Sequence, residues 1–594
     1  MMTMFRSILA LALAAFCATA SAAMLSDNKG DRLSTVPHNP AMQDAVKASQ
    51  LGELGVKFEG WNETFVSYAR LRMYELTGRT AIPGQTPSYS VLAMMYEPQV
   101  WFTAQILPIE HPEILTDLNV QGKWISAKQV VENPKLNEFF AKLTAMSDRK
   151  TKSDKLTKLL NAVEQTYRLG RETRVLNAFQ SDGITPEMVT ELLDDEAALK
   201  AKHAEREEIR ATVKRETPLR NAGLKLLART KALGGIHEDF RVVPDAESIE
   251  GDWVTPSTVL ASNAAFTKAG QAFERSLQEI FSRTKPELLA PAVQQFLSVA
   301  GQSSLYPTQQ YRDATNLYIN TNPWRMASGL YLIGTLAFAF GLYFQSTWGR
   351  WSGVGLMVVG FLVHTSAVGL RLFLKGHVPV SNMFEALTFM SWCVMLIAIV
   401  GEAINRRGLV GLGATLVGFL MLTGVAMMPL HESRIHPLRA VLNSYWLNIH
   451  VTMMLFSYAA FALAAVFAGI YLLRSAFRLD GVLSSVMSQA QTEEFAYRLV
   501  QLGWPLLTVG VTLGAVWADV AWGRAWGWDP KETWAFITWV TYTAYLHSRM
   551  VMGWRGNWSA AACVVGFVMV VITMLGVSYL PWFSGGLHSY ASPT

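Results

Sequence analysis

The sequence predicts a mainly α-helical membrane protein, in which a large, mostly helical exported domain precedes a polytopic bundle of about eight spanning helices. The 594-residue chain is 51% hydrophobic and 16% charged, which is too apolar for a soluble protein and too polar for a pure membrane bundle. Its long apolar runs all follow residue 322. Residues 24–322 are polar and carry apolar residues at the spacing of amphipathic helices.

Residues 1–23 have the features of a secretory signal peptide. Arg6 precedes the short apolar run Ser7–Cys17, and the small residues of Ala18–Ala23 offer a cleavage site. An uncleaved anchor is the alternative, but the run is short for a bilayer span. A signal peptide would place the domain 24–322 outside the cytoplasm, which in a bacterium is the periplasm.

The exported domain 24–322 shows helical periodicity most clearly at Leu136–Leu160 and Glu187–Leu233. No cysteine lies between Leu25 and Asn322, so disulfides cannot hold this domain. The formal net charge of the chain is only +5, which gives no reason to expect a nucleic-acid partner.

The membrane domain 323–594 contains eight apolar runs that approach the roughly 20 residues of a spanning helix. They are 326–344, 353–374, 384–404, 409–429, 450–473, 499–516, 534–552 and 559–580. If the first span enters from outside, the loops 375–383, 430–449 and 517–533 and the tail 581–594 lie outside. Basic residues near the inner ends are only slightly more frequent than near the outer ends, which supports this orientation weakly.

Tryptophan is concentrated in the loop 517–534. Six of the chain's 19 tryptophans lie between Trp517 and Trp539, and Trp522–Asp529 reads W-G-x-x-W-x-W-D. A belt at the membrane interface is the simplest explanation of a tryptophan pair. Here, however, glycines would let a flat ligand approach the backbone, and Arg524 and Lys531 could pair with carboxylates. A planar, hydrophobic dicarboxylate such as haem fits this combination.

The loop resembles the WWD motif of the CcsA (ResC) family, which belongs to the system II cytochrome c haem lyase. The resemblance implies that the chain carries haem b, as a bound substrate, across the bacterial inner membrane. It would present the haem for attachment to the CxxCH segment of apocytochrome c, with a CcsB (ResB) membrane partner. The residues expected to bind haem are Trp522, Gly523, Arg524, Trp526, Trp528, Asp529, Lys531 and Trp534.

Four histidines of the membrane domain are candidate iron ligands. His450 and His588 both fall on the outer side of the predicted topology, and two neutral imidazoles can hold haem iron from its two faces. The family resemblance assigns this role to them. A helix-end histidine that only forms hydrogen bonds is the alternative for either one.

The other two candidates lie deeper in the predicted spans. His547 is 14 residues from Thr533, about 21 Å along a helix at roughly 1.5 Å per residue, and the resemblance gives it an inner haem. His364 is a weaker candidate for that inner site, with helix packing as the alternative. The segment around His377, G-H-V-P-V-S-N-M-F-E, resembles a second CcsA motif in which Asn382 and Glu385 would support the haem loop.

Three other functions remain open. A system I WWD protein that delivers haem is the closest to the CcsA interpretation. A b-type haem subunit of a quinone-linked oxidoreductase would need facing histidine pairs within the membrane. A transporter would use the tryptophans only as an interfacial belt. The absence of a C-x-x-C-H sequence indicates that the chain is not itself a c-type cytochrome.

Overall fold

A computed structural model describes most of the chain. The described residues are 36–58, 61–120, 122–169, 184–238, 240–244, 253–255, 265–302, 306–428, 433–435, 442–477 and 487–580. The predicted signal peptide, the tail 581–594 and His588 lie outside these ranges. The chain divides into two compact units: the first is Met1–Val56 with Phe65–Tyr306, and the second is Lys57–Thr64 with Pro307–Thr594.

The first unit is mostly helical. Its helices are α1 (Pro40–Ala48), α2 (Phe65–Thr77), α3 (Pro87–Tyr96), α4 (Pro98–Thr103), α5 (Pro112–Asp117), α6 (Ala127–Glu132), α7 (Leu136–Leu169), α8 (Pro186–Asp194), α9 (Glu196–Gly234), α10 (Ala265–Arg283) and α11 (Leu289–Ala300). Short strands pair as β1 (Gly55–Phe58) with β2 (Trp61–Thr64), β3 (Leu107–Pro108) with β4 (Trp124–Ile125), and β5 (Val243–Pro244) with β6 (Trp253–Val254). Of these, β2 and the end of β1 lie in Lys57–Thr64, which belongs to the second unit.

The segments with the clearest helical periodicity form α7 and, for the second segment, α8 with α9. A Cβ on Gly223 would lie 2.9 Å from atoms of Phe139 and Leu143, so glycine allows the helices to approach closely. The second periodic segment is divided between α8 and α9 because Asp195 caps α9, accepting hydrogen bonds from Ala197 N and Ala198 N. The predicted helical character of this part of the chain is confirmed.

The second unit begins with the short polar helix α12 (Gln309–Thr321). The helices that follow are α13 (Pro323–Tyr343), α14 (Thr347–Lys375), α15 (Met383–Asn405), α16 (Leu409–Ala426), α17 (Tyr445–Phe477), α18 (Gln489–Trp522), α19 (Pro530–Met550) and α20 (Asn557–Tyr579), the last with a π-helical turn at Ile572–Gly576. Within the described ranges, seven helices are long and apolar enough to cross a membrane. The predicted polytopic helical fold is therefore confirmed.

The predicted seventh span differs from the other seven. It forms the 21-residue helix α19, but it is not among the helices apolar enough to cross a membrane by composition. Lys531 and Glu532 occupy its first turn, and several hydroxyl and aromatic side chains follow. The predicted run 534–552 thus lies on a helix that begins four residues earlier and is more polar than its neighbours.

Glycines allow the membrane helices to pack closely. A Cβ on Gly341 of α13 would lie 2.6 Å from Arg350 N of α14, and one on Gly349 would lie 2.8 Å from Gly341 Cα. Small residues permit such backbone approach in membrane bundles, where packing rather than the hydrophobic effect drives helix association.

A buried carboxylate links helices of the first unit. Glu274 is fully buried and accepts hydrogen bonds from Tyr96 Oη at 2.7 Å and Gln278 Nε2 at 2.9 Å. His237 Nε2 lies 3.4 Å from the same carboxylate. Burial alone would raise the pKa of Glu274, but the hydrogen bonds from His237 and Tyr96 outweigh it and hold the pKa below its usual value.

We expect Glu274→Ala to lower the unfolding free energy of the first unit by about 1–3 kcal/mol, because buried donors lose their acceptor. This loss of unfolding free energy should be complete at neutral pH. It should shrink as the pH falls through the lowered pKa that Glu274 has in the folded protein. Hydrogen exchange of α3 and α10 in the full-length protein measures it. The exposed Glu287→Ala is the control, and equal exchange in both variants would contradict the assignment.

Candidate functional site

The tryptophan-rich loop joins α18 to α19, and its glycine at position 523 ends α18. Gly523 adopts a φ of +68° and donates its N–H to Asp519 O at 2.8 Å. This is the left-handed residue that commonly closes a helix. The expected close approach of a ligand to Gly523 stays a prediction, since helix termination alone accounts for the glycine.

A capping box begins α19 at the other end of the loop. Asp529 is 6% exposed, and its carboxylate accepts a hydrogen bond from Lys531 N at 2.9 Å. Glu532 Oε2 accepts in return from Asp529 N at 3.1 Å and from Gly527 N at 2.8 Å. Asp529 and Glu532 together therefore hold the end of the tryptophan-rich loop against the first turn of α19.

Arg524 lies against the second glycine of the motif. A Cβ on Gly527 would lie 2.6 Å from Arg524 Cζ and 2.8 Å from its Nη2. Glycine at this position makes room for the guanidinium of the same loop, so the space that we expected a ligand to use is filled by Arg524. The Arg524 residue itself is exposed.

The aromatic rings of the motif form two groups. Trp517, 2% exposed, packs with Leu442 and Leu447, and Trp522 lies against it at a centroid distance of 4.8 Å. In the second group the centroids of Trp526 and Trp528 are 5.8 Å apart. Both rings of this second group also contact Phe536 of α19, at centroid distances of 6.5 and 6.3 Å.

Exposure differs strongly along the motif. Trp528 is 67% exposed and adopts a left-handed backbone with φ of +54°, which is unusual for a bulky residue. Trp526 and Trp534 are half-buried. The tryptophans of this motif are therefore not equivalent: Trp517 belongs to the packed core and Trp528 to the surface.

His450 is held in one orientation by α18. Its Nδ1 lies 2.6 Å from Gly510 O, and because a carbonyl oxygen only accepts, Nδ1 carries the proton. A Cβ on Gly514 would lie 2.6 Å from His450 Cε1, so the ring lies directly against that glycine. The ring is also parallel to Trp517 within 10°, at a centroid distance of 6.5 Å.

This hydrogen bond sets the tautomer of the neutral His450 ring. With the proton on Nδ1, the lone pair is on Nε2. Histidines that bind metals characteristically donate their other ring N–H to a carbonyl or carboxylate in this way. His450 therefore has the tautomer that an iron ligand requires.

A cavity brings His450 together with the tryptophan-rich loop. The cavity has a volume of about 200 Å³ and is open to the surface. Residues from five stretches of the chain line it: Val380–Met383 and Ala386; Leu442, Leu447, His450, Val451, Met454, Leu455 and Tyr458; Val511, Gly514, Ala515, Trp517 and Ala518; Ala525, Trp526, Lys531, Glu532 and Ala535; and Thr573 with Met574.

Three of the candidate residues line this cavity: His450, Trp526 and Lys531. The other candidates in the loop, described above, contribute to its shape but not to the lining. Sequence reasoning did not identify Ser381, Gly514 or Thr573 as parts of the site. Of these three residues, only Ser381 belongs to a segment that the sequence singled out, the second motif around His377.

Glu385 fixes the wall that contains Ser381. Its carboxylate accepts hydrogen bonds from Ser381 N at 2.8 Å and from Lys375 Nζ at 2.6 Å, and it pairs with Arg371 at 2.8 Å. Asn382 caps α15 by accepting from Glu385 N at 2.9 Å. Asn382 and Glu385 therefore fix the turn into α15 beside the cavity, and support of the haem loop by this motif stays a prediction.

His364 is enclosed between helices. It is fully buried, with Nε2 3.1 Å from Thr388 O and Nδ1 3.1 Å from Tyr331 Oη. Because the carbonyl accepts, Nε2 carries the proton and Nδ1 accepts from the tyrosine. Both ring nitrogens are therefore engaged, which favours the packing role over the weak assignment as an iron ligand.

His547 lies near the end of α19 and is exposed. It shares one side of that helix with the exposed residues Phe536, Val540 and Ala544. Among the described residues, no group of three or more histidine, cysteine, aspartate or glutamate side chains could hold a metal ion. Its predicted role at an inner haem therefore stays a prediction.

The sequence is similar to proteins of cytochrome c assembly. Residues 380–583 match the family described as Cytochrome C assembly protein. The cytochrome c biogenesis protein CcsA of Gloeobacter violaceus is 34% identical over 293 residues, covering 40% of this chain and 86% of that protein. CcsA of Parasynechococcus marenigrum is 34% identical, with 44% and 94% covered, and CcsA of Chlorella vulgaris is 36% identical, with 37% and 80% covered.

A solved structure named cytochrome c heme lyase CcmF is a remote neighbour. It is 16% identical, has a TM-score of 0.34, and the likeness covers 44% of this chain and 46% of that one. This similarity is too low to carry an argument. Fold, cavity and sequence together define a multi-pass membrane protein of cytochrome c biogenesis.

The chain belongs to the CcsA family. The relatives are matched over most of their own length, whereas the matches cover less than half of this chain. The family membership confirms the resemblance seen in the sequence.

We expect Asp529→Ala to destabilise the first turn of α19 by about 1 kcal/mol, since an N-cap carboxylate is lost. Hydrogen exchange at residues 531–533 in the full-length protein measures the effect. The exposed Asp519→Ala, in the last turn of α18, is the matched control. Unchanged protection in Asp529→Ala would contradict the capping role.

Proposed function

We propose that this protein binds haem b in the cavity described above and presents it for attachment to apocytochrome c. The orientation of His450, with Nδ1 hydrogen-bonded to Gly510 O and the ring beside Trp517, is the observation that carries this proposal. A cavity wall containing an imidazole in the iron-binding tautomer, next to indole rings, suits a flat ligand with a central metal.

Lys531 supplies the charge that a haem propionate would need. It lines the cavity, and among the described residues no side chain forms a hydrogen bond or salt bridge with its ammonium group. The carboxylate of Asp529 lies close enough to attract this ammonium group, but it also accepts the capping hydrogen bond from Lys531 N; a cation in the cavity wall favours an anionic ligand. Arg524, packed on Gly527 and exposed, would meet a second carboxylate at the mouth.

The attachment chemistry requires orientation rather than a protein nucleophile. Each cysteine thiol of the CxxCH segment adds across a haem vinyl group: one S–C bond forms, and the thiol hydrogen goes to the other vinyl carbon. No oxidant or leaving group is needed. The protein would contribute by fixing the haem so that the vinyl groups meet the thiols, an effective-concentration effect.

The second iron ligand and the inner haem are further parts of the proposal. His588, outside the described residues, would bind the iron on the face opposite His450. His547 would receive haem earlier in its passage. Its position on the exposed side of α19 with Phe536 and Val540 suits a membrane partner of the CcsB type that supplies the other ligand.

We place the protein in the bacterial inner membrane, with the first unit and the C-terminal tail in the periplasm. The predicted signal peptide supports this orientation. The first unit would then be a structural domain or a surface that receives the unfolded apocytochrome, and the two roles stay open.

Replacing His450 by glycine should remove most of the bound haem, because an iron ligand is lost. Added imidazole should restore part of the haem and part of cytochrome c assembly. Absorption spectra of the purified protein and the yield of a reporter cytochrome c measure both. His38→Gly, an exposed position in the first unit, is the control.

The same experiment separates the alternatives. A wild-type protein that never binds haem would favour a transporter. A protein that keeps its haem in His450→Gly and shows quinone-linked activity would favour an oxidoreductase subunit. Haem transfer to a chaperone without attachment would favour the system I role, which the CcsA family membership disfavours.

Replacing Gly514 by alanine should weaken haem binding about tenfold or more. The new Cβ would lie 2.6 Å from His450 Cε1 and 2.8 Å from Nδ1, so the ring must move away from Gly510 O. Haem titration monitored by absorption measures the affinity. Gly469→Ala on α17 is the control because its Cβ would meet nothing within 4 Å; equal affinities would contradict the orienting role.

A further inference from the structure

We propose that Glu63 is a positioning residue for the haem cavity, acting through Arg434 and the buried Arg371–Glu385 pair. Glu63 precedes the membrane helices by more than 200 residues and lies outside the segment shared with the CcsA assembly family. This inference rests on the proposed haem-binding function and extends the set of residues that shape the site.

The segment Lys57–Thr64 belongs to the same compact unit as the membrane helices. Glu63 is 5% exposed, and its Oε1 accepts from Arg434 Nη2 at 2.9 Å and Nε at 3.2 Å. The Arg434 guanidinium also lies over the ring of Phe58, 4.9 Å from its centroid. Tyr311 Oη donates to Asn62 O at 3.0 Å, which holds the same strand against α12.

Arg371 holds the main chain at Ser433 and Arg434. Arg371 Nη1 donates to Ser433 O, and Arg371 Nη2 donates to Arg434 O, both at 2.8 Å. Arg434 is therefore held at two points: Glu63 binds its side chain, and Arg371 binds its carbonyl oxygen. A shift of Arg434 would disturb both contacts of the Arg371 guanidinium.

Arg371 connects this loop to the cavity wall. It is fully buried; its Nε and Nη2 lie 2.8 Å from the Glu385 carboxylate, and Nη1 also donates to Tyr318 Oη at 2.9 Å. Glu385 in turn holds Ser381 N at 2.8 Å, and Ser381 lines the cavity. Four consecutive polar contacts thus lead from Glu63 to the lining: to Arg434, to Arg371, to Glu385 and to Ser381.

Glu63 supplies one of the two negative charges along this connection. Arg371, Lys375 and Arg434 carry three positive charges, and Glu63 and Glu385 carry two negative ones. All five side chains are at most 9% exposed, so water cannot compensate a lost partner well. Removing the Glu63 charge takes away the carboxylate that pairs with the buried Arg434 guanidinium, which favours movement of residues 433–435.

The test compares Glu63→Gln with wild type in the full-length protein purified with its haem. We expect haem affinity about tenfold weaker, a shifted reduction midpoint potential and a changed absorption spectrum, because the cavity wall that contains Ser381 is displaced. The charge-swapped double variant Glu63→Arg with Arg434→Glu should recover most of these properties by restoring an ion pair of reversed sign.

Glu75→Gln is the matched control. Glu75 also accepts from a buried arginine, Arg72, at 2.7 Å, but lies in the first unit on α2. A wild-type haem spectrum and potential in Glu63→Gln would overturn the inference, as would an equal change in Glu75→Gln.

If Glu63→Gln does not fold, Tyr311→Phe removes only the hydrogen bond to Asn62 O and should give a smaller shift in the same direction; no shift would overturn the inference.

A readout that needs no haem keeps this inference distinct from the proposed function. A cysteine introduced at Val380, 8% exposed in the cavity wall, should react with a maleimide several-fold faster when Glu63→Gln is also present. Wild-type protein without haem would overturn the proposed function, whereas an unchanged labelling rate would overturn the role of Glu63.

Discussion

The contact of α17 with α18 is the constraint on which the site depends. Glycines at 503, 510 and 514 lie on one side of α18 and remove the side chains that would hold α17 away. The contact at Gly514 positions the His450 ring, and the carbonyl of Gly510 determines which ring nitrogen carries the proton. One packing interaction thus sets the distance between two helices, the orientation of an imidazole and the tautomer of its ring.

The sequence predicted the features that depend on local pattern. Apolar runs located the membrane helices, periodicity located the long helices of the first unit, and the tryptophan spacing located the loop beside the cavity. His450 was found because it lies at a helix end near that loop in the expected topology. These signals are carried by neighbouring residues, so they can be read without knowing the fold.

Other features could not be predicted because they depend on tertiary contacts. The local sequence did not indicate that Gly523 ends one helix and that Asp529 begins the next, while contact of these residues with a ligand stays a prediction. The polar character of α19 was overlooked because its apolar residues still form a long run. Glu63 and Arg434 are 371 residues apart in the chain, and nothing in either local sequence indicates the other.

The buried charges near the cavity are costly within a membrane protein, and their arrangement reflects this. Arg371 has both terminal nitrogens and Nε engaged, and Glu385 accepts from two cations and a backbone N–H. A fully paired network avoids the larger penalty of an isolated ion. Its rigidity gives the loop Val380–Met383 a defined position although the loop has no regular secondary structure of its own before α15.

The π-helical turn Ile572–Gly576 has a consequence for how this family can vary. A π turn accommodates one more residue than an α turn and often occurs at functional sites. Thr573 and Met574, within it, line the cavity. Deleting a single residue there would let the helix continue as regular α-helix, yet would remove the widened turn that contains Thr573 and Met574. Length changes at this point are therefore easily absorbed by the backbone but not by the geometry of the ligand site.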